Sequence, residues 1–196
     1  DVVRMVERGS PGQGEGSEDG PHATIVLRRS RPVIRCHVFP PGAVVACDVP
    51  VERALAPTEG DCVWIDIEAP SEADLAMLTN HFQFHSLAVE DCTHLQKRAK
   101  FERYASHAFV VLCSLDRTTK EDLFDTVPIC VFLRHRLVVT VHPKRVTAVE
   151  RVANLLVNEP DRVGHHTERV LHTIVDAVID ELLPLVEDRQ DLVDEC

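Results

Sequence analysis

The sequence lacks any run of about 18 apolar residues, so it predicts no segment that spans a bilayer. Its seven cysteines include no Cys-x-x-Cys pair, which argues against zinc-finger spacing and favours a reducing, cytoplasmic compartment. Its first residues lack the apolar centre of a signal peptide. Because it also lacks a nucleotide-binding glycine loop and a Gly-x-Ser-x-Gly motif, we expect no enzyme activity.

The composition is that of an acidic globular protein. Of 196 residues, 44% are hydrophobic and 27% are charged, and the net charge is −11. This charge disfavours nucleic acid and anionic membrane surfaces as partners and favours cations. Residues 161–196 contain ten Asp or Glu and three Lys or Arg, so they carry −7 of the total.

The chain divides into three predicted parts. Residues 1–22 are rich in Gly, Ser and acids and predict a flexible tail. Residues 23–160 predict an α/β domain, with a mixed parallel and antiparallel sheet sandwiched by helices. Residues 161–196 predict a long acidic C-terminal helix. Because the chain has no initial Met and ends within this helix, we expect it to be a fragment of a longer protein.

Individual elements are predicted from hydrophobic periodicity. Alternation and β-branched residues predict strands at 32–39, 43–47, 62–67, 107–115, 126–133 and 137–141. Helical spacing predicts helices at 71–82, 86–95 and 144–157, and a long helix from 161. Ser71, followed by Asp74 three residues later, predicts a reciprocally hydrogen-bonded helix N-terminus.

Two pairs of carboxylates are candidate cation ligands. Glu90 and Asp91 are adjacent, and adjacent helical residues point about 100° apart, so one can face solvent while the other faces a partner. Asp176 and Asp180 are four residues apart and share one face of the final helix. Considered without other information, the sequence favours solvated surface carboxylates for Glu90 and Asp91, and leaves both interpretations open for Asp176 and Asp180.

Histidine is abundant, with eleven residues, and imidazole favours Zn²⁺ and Co²⁺. His81 and His85 have helical spacing, and a second group comprises His165, His166 and His172. A zinc site at His165 and His166 therefore stays open as an alternative. No His-Glu-x-x-His motif is present.

The motifs between residues 63 and 104 resemble the CorA family of magnesium and cobalt transporters. They are, in order, Trp64-x-Asp66, Pro70, Phe84-His85 with Leu87, Glu90-Asp91, and Arg98-x-Lys100-x-Glu102. We expect the last of these to form a charged turn that leads into a strand, with structural salt bridges. The family usually has Pro at the position of Ala99. A second similar segment runs from residue 170 to residue 180, so the resemblance covers about residues 60–194.

The resemblance implies a cytoplasmic metal-sensing domain of a Mg²⁺ or Co²⁺ channel, located in the inner membrane and assembled as a homopentamer. It implies that Asp91 binds Mg²⁺ together with an acid of a neighbouring subunit. It also assigns Glu90 and Asp176 to a second site, with Asp180 beside them. The resemblance further implies that the helix at 161–196 begins a long stalk helix, and that the partner acid and the Gly-x-Asn pore motif lie beyond Cys196. Alternatives are the cytoplasmic domain of a ZntB-type zinc transporter and a stand-alone metal-binding module. The transported ion and its direction stay open.

Overall fold

The computed structural model describes residues 33–93, 98–116, 125–163 and 166–194, and for Asp161 and residues 185–194 it describes the backbone alone. The predicted tail at 1–22 and His165 lie outside the described residues, as does the turn predicted from Asp116 to Asp122 for all but its first residue.

The described residues form six strands and six helices. The strands are β1 Val33–Phe39, β2 Cys62–Glu68, β3 Lys100–Arg103, β4 Ala108–Leu115, β5 Thr126–Arg134 and β6 Leu137–His142. The helices are α1 Val51–Leu55, α2 Glu72–Asn80, α3 Ser86–Asp91, α4 Thr147–Asn158, α5 Pro160–Val163 and α6 Thr167–Asp194. None of these helices is both long and apolar enough to cross a membrane.

The strands form one sheet in the order β1-β2-β6-β5-β4-β3. β2 and β6 are parallel, whereas the other neighbouring pairs are antiparallel. All residues of β6, and all but the last of β2, are buried, as expected for strands that helices cover on both faces. The predicted mixed sheet is therefore confirmed.

The sheet separates two hydrophobic cores. Strand alternation places Trp64 in one core, beneath α4, α5 and α6. The next residue, Ile65, lies in the other core, which α1, α2 and α3 cover. Helices thus sandwich the sheet, as the sequence predicts, and the two candidate carboxylate pairs belong to helices on opposite faces.

Local signals explain several element boundaries. The Ser71 hydroxyl accepts the Asp74 N–H at 3.3 Å, and the Asp74 carboxylate accepts the Ser71 N–H at 2.8 Å, which confirms the predicted start of α2. The short connection between β5 and β6 is also confirmed. Arg136 takes a positive φ of 61° there, and Arg134 pairs directly with Leu137.

Three predictions of local structure are wrong. Residues 43–47 form no strand, because only Ala46 pairs with Val38 before Asp48 adopts a left-handed φ of 50°. The long helix begins at Thr167 and not at 161, because Pro160 begins the separate short helix α5. Helix α3 ends at Asp91 and not near 95.

Candidate functional site

Helix α3 holds the first carboxylate pair at the end of a short, well-anchored turn. The Nδ1 atom of His85 accepts the N–H of Leu87 at 3.3 Å and so caps the start of the helix. Ala88 and Val89 are buried in the core below. The next two residues therefore point outward in different directions: Glu90 is exposed, whereas the side chain of Asp91 is only 19% exposed.

The partner of Asp91 is Lys100 on the edge strand β3. The Lys100 ammonium donates to Asp91 Oδ2 at 2.5 Å and to Glu102 Oε1 at 3.1 Å, and it lies 5.3 Å from the centre of the Phe109 ring. Burial acts to lower the pKa of Lys100, but hydrogen bonds to the two carboxylates outweigh it and raise the pKa. The salt bridge between Lys100 and Glu102 that the motif predicts is present, although both residues lie in the strand itself and not in a turn before it.

Aromatic rings hold the Glu102 carboxylate in place. Glu102 Oε2 accepts the Tyr104 hydroxyl at 2.7 Å, and this bond, followed by that of Lys100, lowers the pKa of Glu102. The Tyr104 ring stacks on His85 at 4.6 Å and on His107 at 4.8 Å between centroids. Burial, and then the contact with Glu102, raises the pKa of Tyr104 to about 12. Asp91 is thus connected, through Lys100, Glu102 and Tyr104, to His85, which caps the helix that carries Asp91.

The second carboxylate pair lies on α6. Asp176 and Asp180 line a groove of about 440 Å³ between α4 and α6, so they share one face of the helix, as their spacing predicts. Asp176 Oδ2 is 2.9 Å from His172 Nδ1, and Asp180 Oδ2 is 3.9 Å from the Arg151 guanidinium. Both carboxylates are more than half exposed, so these pairs contribute little to stability.

One chain does not bring the two pairs together, because α3 and α6 pack on opposite faces of the sheet. No group of three or more His, Cys, Asp or Glu that could hold a metal ion occurs among the described residues. A single partly exposed carboxylate still fits Mg²⁺, which prefers oxygen ligands and retains several waters. A cation at Asp91 would therefore complete its coordination with water or with groups outside the described residues of this chain.

Of the described histidines that the sequence offers as zinc ligands, two have structural roles and two lie in separate parts of the structure. His81 ends α2 and meets the Phe82 ring edge-on at 4.9 Å, while His85 caps α3. His166 lines a separate cavity of about 380 Å³, and His172 pairs with Asp176 on α6.

A buried polar network, which sequence reasoning treated only as part of a motif, links β2 to β6. Asp66 is 2% exposed and accepts the Thr140 hydroxyl at 2.6 Å, and Thr140 in turn accepts the Trp64 indole N–H at 3.0 Å. His142 Nε2 lies 3.0 Å from Asp66, and its Nδ1 lies 2.7 Å from the Lys144 carbonyl.

Both ring nitrogens of His142 thus face acceptors, which favours the imidazolium. Burial acts to lower the pKa of His142, but Asp66 outweighs it and raises the pKa. A signal for this network was present in the sequence. In Trp64-x-Asp66 and in Thr140-x-His142, two side chains that can form hydrogen bonds stand two residues apart inside apolar runs, the spacing that places them on one face of a strand.

Comparison with known proteins extends the resemblance across most of the chain. The family model described as CorA-like Mg²⁺ transporter protein matches residues 59–196. YfjQ of Bacillus subtilis (strain 168), which is named as a metal ion transporter, is 30% identical over 151 residues, covering 76% of this chain and 46% of YfjQ. The magnesium transporter ALR1 of Saccharomyces cerevisiae is 20% identical over 125 residues, covering 63% of this chain and 15% of ALR1. The chain therefore spans about half the length of these relatives, or less.

Solved structures share the fold at low sequence identity. The full-length CmaX protein matches with a TM-score of 0.70 at 16% identity, covering 84% of this chain and 50% of CmaX. The CorA magnesium transporter of Methanocaldococcus jannaschii gives 0.64 at 14% identity, covering 83% and 49%. The ZntB cytoplasmic domain of Vibrio parahaemolyticus gives 0.65 at 10% identity, covering 83% and 64%. Motifs, fold and family model agree, and the chain belongs to the family of CorA-like Mg²⁺ transporters.

Proposed function

We propose that this chain is the cytoplasmic regulatory domain of a divalent cation transporter, and that Mg²⁺ bound at Asp91 favours the closed state of the pore. Family membership supports the transporter class, and the partly buried carboxylate at the end of α3 supports the site. Asp91 is held at one oxygen by Lys100, so its position at the surface is defined before any cation arrives. This defined position is the observation that carries the proposal.

The proposed site suits a sensor because it is weak. A site that is half occupied stabilises the bound state by about 0.4 kcal/mol, and a tenfold excess of Mg²⁺ over Kd raises this to about 1.4 kcal/mol. Five such sites in a homopentamer would together contribute several kcal/mol, which is the order needed to shift a two-state equilibrium substantially. Loss of Mg²⁺ would restore the repulsion between carboxylates and release the subunits.

The remaining ligands of the proposed site come from other subunits. Asp91 would bind the cation together with an acid of a neighbouring chain, while Glu90, Asp176 and Asp180 would contribute to a second site. The placement of α3 and α6 on opposite faces of the sheet supports this division, since the described residues of one chain bring together no group of three or more such ligands. The assembled protein would lie in the inner membrane, with this domain on its cytoplasmic side and Mg²⁺ or Co²⁺ as its cargo.

The second candidate is a zinc transporter of the ZntB type. The fold shared with the ZntB cytoplasmic domain and the eleven histidines favour it. The scattering of the described histidines over separate elements makes it the weaker candidate, because zinc sites need three or four converging ligands. A stand-alone metal-binding module is a third possibility, which the family match to transporters makes less attractive.

Calorimetric titration of the intact protein with Mg²⁺, Co²⁺ and Zn²⁺ tests these alternatives. We expect Asp91→Asn to remove the component of Mg²⁺ binding that belongs to the Asp91 site, and Glu72→Gln, which removes an exposed charge from α2, to leave Mg²⁺ binding unchanged. Equal Mg²⁺ binding by wild type and Asp91→Asn would overturn the assignment of Asp91. Tight Zn²⁺ binding that is lost in His166→Ala would favour the zinc transporter instead.

A further inference from the structure

The Lys100 ammonium lies where a cation bound to Asp91 would approach its carboxylate. It contacts Asp91 Oδ2 at 2.5 Å, and the two side chains are only 26% and 19% exposed. A divalent cation that bound this oxygen directly would meet the ammonium at the same point. Direct binding of a cation at Oδ2, alone or as one of two carboxylate ligands, therefore requires that Lys100 move.

We propose that Lys100 is a built-in competitor of the divalent cation at Asp91, and that Glu102 receives the displaced ammonium. This inference rests on the proposed function, in which Asp91 binds the cation. Lys100 then raises the cation concentration at which the site is half occupied. Glu102 lowers that concentration, because it accepts the displaced ammonium.

The structure provides Lys100 with a place to go. Its ammonium already contacts Glu102 Oε1 at 3.1 Å while it contacts Asp91, so full transfer needs only a rotation of its flexible stem. The Phe109 ring, 5.3 Å away, adds a cation–π contact that does not depend on either carboxylate. The displaced charge therefore keeps a counter-ion and an aromatic face.

The receiving carboxylate is held firmly. Tyr104 donates to the other oxygen of Glu102 at 2.7 Å, and its ring is stacked against His85 and His107. His85 also caps α3, the helix that carries Asp91. Because both carboxylates are anchored to one network, the exchange changes the position of Lys100 and leaves the two acids in place.

Two substitutions should change cation affinity in opposite directions. Lys100→Gln removes the competitor and should tighten Mg²⁺ binding at Asp91 about fivefold, the equivalent of about 1 kcal/mol for an ion pair of this exposure. Glu102→Gln removes the receiving charge, holds Lys100 on Asp91 and should weaken Mg²⁺ binding severalfold. A purely structural role for both residues predicts weaker binding in both variants.

Arg103→Gln is the matched control for loss of one positive charge. Arg103 lies on the same strand, is exposed, and by strand alternation points to the opposite face from Lys100 and Glu102. Its replacement should change Mg²⁺ affinity by less than about twofold, because separated surface charges are largely screened at physiological ionic strength.

Tyr104 supplies a readout that does not depend on transport. It is the only tyrosine among residues 1–196, and comparison with Tyr104→Phe identifies its resonance in the intact protein labelled with ¹³Cζ-tyrosine. Mg²⁺ added to the intact wild-type protein should shift this resonance, because Lys100 moves fully onto the carboxylate to which Tyr104 donates. The Mg²⁺-dependent shift should be absent in Lys100→Gln, and retention of a dispersed Tyr104 resonance shows that the variant is folded.

The outcomes separate this inference from the proposed function. If Mg²⁺ binding depends on Asp91, and Lys100→Gln leaves that binding unchanged or weakens it, only the proposed role of Lys100 is overturned. Absence of Asp91-dependent Mg²⁺ binding in wild type and in every variant, including Lys100→Gln, overturns the proposed site and this inference with it. Tighter binding in Lys100→Gln together with weaker binding in Glu102→Gln supports both.

Discussion

Asp66→Asn would test how the buried polar network holds the two central strands together. The change keeps the shape of the side chain and removes a charge that His142 and Arg35 face at 3.0 and 3.6 Å. Breaking a buried ion pair by neutralising one partner costs about 3–5 kcal/mol, because the other charge stays buried without compensation. A domain of this size has about 5–15 kcal/mol of total stability, so we expect a large but not complete loss.

The pH dependence of this loss follows from His142. Its pKa is raised above the ordinary value of 6.5 by Asp66, despite the opposing effect of burial. The stability that its protonation contributes is therefore fully present below about pH 6.5 and is lost as the pH rises through the folded-state pKa. Because Asn cannot stabilise the imidazolium in the same way, the difference between wild type and Asp66→Asn should be largest near pH 6 and smaller near pH 9.

Urea unfolding followed by fluorescence would measure this difference. Trp64 is the only tryptophan and donates to Thr140 within the same network, so the signal reports on the region that is perturbed. Asp74→Asn at the start of α2 is the control. It should cost about 0.5–2 kcal/mol, equally at both pH values. A loss for Asp66→Asn that is equal at both pH values, or larger near pH 9, would refute the protonated state of His142.

Two further predictions concern buried polar groups of the sheet. Ser114 donates at 2.8 Å to Glu181, which is 3% exposed, so Ser114→Ala should cost about 1–3 kcal/mol in urea unfolding. Ser114→Ala combined with Glu181→Met should recover most of that loss, and simple additivity would contradict the pairing. The His37 ring lies tilted against Trp64, with 5.0 Å between the ring centroids, neither of its nitrogens has a hydrogen-bond partner among the described residues, and burial lowers its pKa. Its contribution to stability is present above about pH 6.5 and is lost as the pH falls through the folded-state pKa, so His37→Phe should flatten the decline of stability in acid; an unchanged slope would count against this.

Local patterns in the sequence were sufficient for much of the fold. The apolar runs of β2, β5 and β6 are long and rich in β-branched residues, and their ends match the predictions within about one residue. The start of α2 was predictable because Ser71 and Asp74 bond within one turn. Residues 43–47 show the limit of such patterns, since their β propensity is real but Asp48 turns the chain away from the sheet.

Long-range contacts could not be predicted in the same way. His142 meets Asp66 across 76 positions, because β2 and β6 are parallel neighbours in a register that no local pattern specifies. Lys100 was recognised as part of a charged motif, yet its contact with Asp91 depends on where the end of α3 lies relative to β3. The cation-binding roles of Glu90, Asp91, Asp176 and Asp180 stay predictions, since the positions of these residues do not reveal what they bind.

The separation of the two carboxylate pairs by the sheet has an electrostatic consequence. A helix layer on each side of a sheet puts the outer surfaces roughly 20 Å apart, well beyond the screening length of about 8 Å in physiological salt. Neutralising the charge near Asp91 therefore leaves the field at Asp176 nearly unchanged. Within one chain, any cooperativity between the two surfaces must therefore be mechanical, carried by small displacements of packed strands. Mutations in the core that soften the sheet would then uncouple the surfaces without touching a single charged residue.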